Sequence, residues 1–165
     1  MSVDQPSKVA AAVEQLATAE SVASLLPATA RAFAEVLAAP ACTISRVIGD
    51  LLVDLIQYVE QGKPDRLGHG YLISDFPLTR TVIEEREPLT VHVGDPKADP
   101  GEIGLLNELG FDALLMVAIE AEDGPWGLVE VYAERGRRFG DDDLALARDL
   151  AAQVGAILRQ LERPA

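Results

Sequence analysis

The chain has 165 residues, the length of one ordinary domain, and its 48% hydrophobic and 25% charged residues suffice for a buried core and a soluble surface. Its 27 acidic side chains against 14 Lys and Arg give a net charge of −13, which repels phosphate backbones and anionic bilayers and so excludes nucleic acid and membrane surfaces as expected partners. A single cysteine, Cys42, excludes an intramolecular disulfide and a Cys-rich zinc site.

The N-terminal "MSVDQPSKVA" lacks a basic region followed by an apolar stretch, and the longest apolar run, Ala113 to Ile119, is too short to span a bilayer. A cytoplasmic protein is expected. Two helical patterns open the chain, Ser7 to about Leu16 and Ser21 to about Leu37, with Ser7 and Ser21 as N-caps. Pro27 is expected to interrupt the second, so that its regular part begins after the proline. Two strands follow, "CTISRVI" and "LLVDLIQYV", joined by Gly49-Asp50, a dipeptide suited to a hairpin turn.

From Glu60 to Pro100 the pattern is irregular. Within it, a weak strand is expected near Tyr71 to Ser74, a short helix at Pro77 to Glu85 capped by Asp75, and a strand at "PLTVHV". A second short helix at Glu102 to Leu109 should stop at Gly110. "ALLMVAIEA" and "WGLVEVYAE", separated by "EDGP", predict an antiparallel hairpin of two central strands, the first covered on both sides. Leu144, Ala147, Ala151, Val154, Leu158 and Leu161 recur at three and four residues, which predicts a long closing helix from Asp141 to about Leu161. Its three leading aspartates point about 100° apart and do not converge on one ion, so they read as a helix start with Asp141 as cap.

This order of elements, together with "SLLPATARAFAEVLAAPACTISRV", "FPLTRTVIEEREPLTVHVGDP" and the closing "LLNELGFDALLMVAIEAEDGPWGLVEVYAERGRRFGDDDLALARDLAAQVGAIL", resembles the GAF domain family. The resemblance implies an α+β, GAF-like and PAS-related fold. In it an antiparallel β-sheet carries the N- and C-terminal helices on one face, while short helices and loops close a pocket on the other. It divides the chain into an N-terminal helical extension at 1–20 and a GAF domain at 21–162. The function it implies is a non-catalytic sensory or regulatory domain of signal transduction, binding a small molecule, mediating dimerisation, or both. A ligand-free adaptor and, behind it, a GAF-fold enzyme are the alternatives.

The family's sub-classes differ in the residues that they require. Members that bind cyclic nucleotides carry Asn-Lys at the end of the last strand and Glu after the aspartate, where this chain has Ala133-Glu134 and Leu144. Bilin attachment in the middle region finds no cysteine there, and a methionine sulfoxide reductase cycle needs more than the one thiol of Cys42. Haem would have only His69 or His92 as axial ligand, and no metal site is expected. Glu120 and Glu130 could face one another on the central hairpin, although such residues more often lie at a strand's edge or pair with Arg, here Arg46. No catalytic residue is expected, and the cofactor is unknown. The resemblance places a ligand among Phe76, Arg80, Ile83, His92, Leu106 and Met116, with an ion pair to Glu84 as the competing role of Arg80. The surplus of apolar helix face predicts a homodimer through the N- and C-terminal helices, with a signalling output domain or partner protein receiving the signal.

Overall fold

The computed structural model describes residues 5–61 and 69–163; the part of the irregular segment at 62–68 lies outside the described residues. Six antiparallel strands form one sheet in the order β3-β2-β1-β6-β5-β4. They are β1 (Ala41–Ile48), β2 (Leu51–Val59), β3 (Gly70–Leu72), β4 (Leu89–His92), β5 (Ala113–Ala121) and β6 (Gly124–Ala133). Around them stand α1 (Gln5–Leu16), α2 (Val22–Val36), α3 (Pro77–Glu85), α4 (Pro100–Leu109) and α5 (Asp141–Glu162). This is the α+β, GAF-like architecture that the resemblance implies.

Strand alternation divides the interior in two. Leu115, Val117 and Ile119 of β5, Val129 and Val131 of β6, and Cys42 and Ile44 of β1 pack against α1, α2 and α5. Their neighbours Leu114, Met116, Leu128, Tyr132 and Ala41 point the other way, into a cluster closed by Val82 and Ile83 of α3 and Leu106 of α4. Fully burying a side chain such as Leu150, Val154 or Leu158 of α5 contributes about 1.5–3 kcal/mol, so the terminal helices are held chiefly by this apolar face.

Four expectations are corrected. Helix α1 begins before Ser7, which therefore lies inside the helix rather than capping it. Helix α2 runs unbroken through Pro27, because Leu25, Leu26, Thr29, Ala30 and Phe33 are buried on both sides of the proline and fix the helix against the sheet. The proline is exposed and stands in the second turn, and the carbonyl that loses its partner, that of Ala23, also lies on an exposed residue. Ser21 does cap α2, its Oγ accepting from the Ser24 N–H at 3.1 Å. Phe76, not Asp75, precedes α3, without a side-chain cap. Gly140, not Asp141, is the residue before α5, and the Asp143 carboxylate reaches back to accept from the Gly140 N–H at 2.9 Å. A carboxylate at the third helical position closes the exposed end as well as one in front of it would.

Candidate functional site

The two faces of the sheet differ in kind. Seven polar or charged residues are buried among the described residues. One, Thr29, belongs to α2 and donates to the Leu25 carbonyl at 2.8 Å. The other six, Thr43, Ser45, Asp54, Thr79, Glu102 and Glu130, belong to the face that α3 and α4 cover or to those helices themselves. Register explains the band: Ser45 lies opposite Asp54 across a β1–β2 irregularity, Thr43 lies opposite Glu130 across β1–β6, and Glu130 lies opposite Met116 across β5–β6. The sheet thus presents a polar row across its middle strands.

Hydrogen bonds run within this row and within its cover. Ser45 Oγ donates to Asp54 Oδ1 at 2.6 Å, and the Tyr132 hydroxyl donates to Glu130 Oε2 at 3.1 Å. Thr79 Oγ1 of α3 donates to Glu102 Oε1 of α4 at 2.5 Å and lies 3.3 Å from Met116 Sδ. The Thr79–Glu102 bond therefore ties the two covering helices together over the sheet. Burial pushes the Glu102 carboxyl above its ordinary range, with Asp99 adding in the same direction and the Thr79 bond opposing. Burial likewise raises the Tyr132 phenol, with Glu130 adding to it.

A raised carboxyl makes folding bind a proton that the unfolded chain has released. Stability contributed by Glu102 is then greatest below the ordinary carboxylate range and falls as pH rises through the interval up to its folded pKa. Equilibrium urea denaturation from acid to neutral pH is expected to show this fall, and E102Q is expected to flatten it. An unchanged slope in E102Q would assign the dependence to other groups.

Within the polar row the structure holds a cavity of about 20 Å³, lined by Leu52, Asp54, Tyr71, Phe76, Thr79, Leu105 and Glu130. That is room for roughly one water molecule. Of the sequence-derived residues, Ile83, Leu106 and Met116 are brought together in the buried cluster of this face. Phe76 stands on the cavity wall, edge-on to Tyr71 with ring centroids 6.2 Å apart. Arg80 is exposed on α3, paired with Glu84 at 2.9 Å, and is not part of the cavity lining. His92 is built into a turn, its Nδ1 accepting from the Gly94 N–H at 2.9 Å and its own N–H bonding to Asp95. His69 lies exposed beside β3, and its carbonyl accepts from the Asp54 N–H at 2.9 Å.

Glu120 and Glu130 do not oppose one another, and Glu120 takes the strand-edge position. The β5–β6 register sets Glu120 opposite Pro125, next to the end of β5, and Glu130 opposite Met116. Arg46 pairs with neither; its guanidinium lies 4.5 Å from the Trp126 ring centroid and donates to the Trp126 and Val47 carbonyls. Of the lining, Leu52, Asp54, Tyr71, Thr79 and Leu105 carry no mark of the site in the sequence analysis. An acid at the centre of the nine-residue apolar strand β2 was the one signal for Asp54, whereas nothing local marks Thr79 as the partner of Glu102. Among the described residues no group of three His, Cys, Asp or Glu could hold a metal ion, and no helix is long and apolar enough to cross a membrane.

Comparison with known proteins adds a family and a fold. The sequence profile of the GAF domain family matches residues 21–158. No curated protein sequence matches the chain. A bacteriophytochrome from the photosynthetic bacterium R. palustris superimposes with a TM-score of 0.84 at 14% identity, covering 98% of this chain and 39% of that one. The photosensory core module of Stigmatella aurantiaca phytochrome gives 0.81 at 14% identity, over 97% of this chain and 37% of that one. The phycocyanobilin-bound GAF domain of a cyanobacterial phytochrome gives 0.81 at 17% identity, over 98% and 97%. The chain spans less than half the length of the first two. At such identities the likeness is one of fold.

Proposed function

Since the chain belongs to the GAF domain family, we propose that it is a non-catalytic sensory domain of signal transduction that takes a small molecule between its sheet and the cover formed by α3 and α4. The observation that carries this reading is the confinement of six of the seven buried polar residues to that one face. Burying three carboxylates stabilises nothing by itself, and a face whose only task was packing would resemble the apolar face under α5. The lining of acceptors suits a ligand rich in N–H and O–H donors. A chromophore carrying carboxylates would meet Asp54 and Glu130 there, and Cys42 points to the opposite face, away from any ligand it could hold covalently.

The small size of the cavity favours a second reading, that of a dimerisation module or adaptor, with α3 and α4 closed permanently. A groove of about 790 Å³ between α1 and α2, walled by Ala11, Ala12, Leu16, Ala28 and Ala32, is the place for a second copy in that case. The two readings separate in one preparation. Native mass spectrometry of the purified chain, with a thermal-shift screen of amines, nucleobases and biliverdin, is expected to show a donor-rich molecule retained or stabilising and biliverdin inert. A bare chain that no compound stabilises, found as a dimer that Ala28→Glu converts to a monomer, would transfer the function to the adaptor.

A further inference from the structure

A second concavity lies away from the polar face, where the sheet ends at β4. The β4–β5 pairing runs only from Leu89 opposite Met116 to His92 opposite Ala113. It stops there because Pro88 has no N–H to donate and Arg86 turns the chain in the left-handed region at φ 59°. Among the described residues, β5 from Val117 onward therefore has no paired strand on that side, and α5 packs beneath it. Gly155 permits the approach, since a Cβ there would lie 2.8 Å from the Glu120 carbonyl oxygen. Between α5 and the end of β5 opens a cleft of about 230 Å³.

Three guanidinium groups line it: Arg86 from the end of α3, and Arg148 and Arg159 from α5. Two of them pair with Glu120 and Glu87, which leaves one positive charge in excess here, in a chain with a net charge of −13. Existing bonds use only part of their capacity. Arg86 Nε lies 3.3 Å from Glu120 Oε1, Arg148 Nη2 lies 2.5 Å from Glu87 Oε2, and Arg159 Nη1 donates to the Glu120 carbonyl at 3.3 Å. Each guanidinium offers five N–H donors, so donors remain on all three. Glu120 Oε1 is buried beneath Arg86 and is held by that ion pair alone.

We propose that this cleft binds a compact oxyanion, a phosphate or a carboxylate, held by the remaining N–H groups of Arg86, Arg148 and Arg159. The guanidinium fork matches both anions in geometry and charge. The volume corresponds to roughly eight waters, so the ligand is small. An acidic macromolecule would be repelled by the rest of the surface, which leaves a small metabolite as the occupant. Bound there, the anion joins the end of α3, which covers the polar face, to the long helix α5.

The test is an NMR titration of the full chain, following the arginine Nε–H signals at constant ionic strength, with inorganic phosphate in one arm and succinate in the other. Saturable shifts of Arg86, Arg148 and Arg159 are expected in at least one arm, with Arg31 and Arg80 unmoved; the responding arm identifies the anion. R148Q/R159Q is expected to weaken binding by about tenfold or more, the loss of about 1.4 kcal/mol. Arg148 is exposed, so R148Q alone serves, with a smaller weakening, if the double variant does not fold. Shifts that never saturate in either arm, equal shifts at Arg31 and Arg80, or unaltered binding in folded R148Q would overturn the proposal.

Discussion

Gly127→Ala is expected to destabilise the chain by about 3 kcal/mol, at the upper end of what overpacking costs. Gly127 sits in β6 between Arg46 of β1 and Ile119 of β5, and a Cβ there would lie 2.6 Å from the Ser45 carbonyl oxygen. The obstacle is backbone in the centre of the sheet, which cannot turn aside as a flexible side chain would. Ser45 is also the residue that donates to Asp54, so the strain falls on the polar row as well as on the ladder. The control is Gly104→Ala in α4, where a Cβ meets nothing within 4 Å. Replacing glycine in a helix interior there is expected to stabilise by about 1 kcal/mol. Urea midpoints for the two variants should move in opposite directions, and a Gly127→Ala midpoint equal to that of the parent would show that β1 and β6 separate without cost.

Leu106→Ala is expected to cost about 2–5 kcal/mol, the range for truncating a fully buried leucine. Where the loss appears matters more than its size. Leu106 lies in the cluster of the covered face with Val82, Ile83 and Met116, while α2 and α5 pack in a separate cluster on the other face. Hydrogen exchange should therefore quicken in α3 and α4 of the variant far more than in β5, β6 or α5. That outcome fits a cover that opens to admit a ligand. Uniform acceleration across the chain would mean that cover and sheet unfold as one unit, as an adaptor with a permanently closed face requires.

The fold was largely legible in the chain because most of it rests on local pattern. The period of α5, the Gly49 and Gly110 punctuation and the two-sided apolarity of β5 all report burial within a few residues of themselves. What was misread depended on partners far along the sequence. Pro27 breaks a helix in isolation, and only the burial of Leu25 and Phe33 against the sheet keeps α2 whole. Glu120 and Glu130 stand on paired strands, yet the register sets Glu130 opposite Met116, four residues before Glu120. The site divides in the same way. Ile83, Leu106 and Met116 follow from apolar alternation and are buried together. Arg80 and His92 were chosen for their chemistry and are engaged by Glu84 and by Gly94, each only a few residues away. The polar row was illegible because Thr79 and Glu102, or Thr43 and Glu130, become neighbours only when the sheet and its cover have formed.

The pairing of β1 with β6 carries a kinetic consequence. Each of the two hairpins, β1–β2 and β5–β6, closes through a short turn and can form early, but Ala41 meets Tyr132 only after everything between them has been gathered in. The entropy of closing that long loop is spent before the central ladder returns any bond. On a ribosome, the first half of the sheet must therefore wait with the β1 edge unsatisfied until β6 emerges. The stretch from Ala41 to Arg46 is in that interval the segment most open to pairing with another chain.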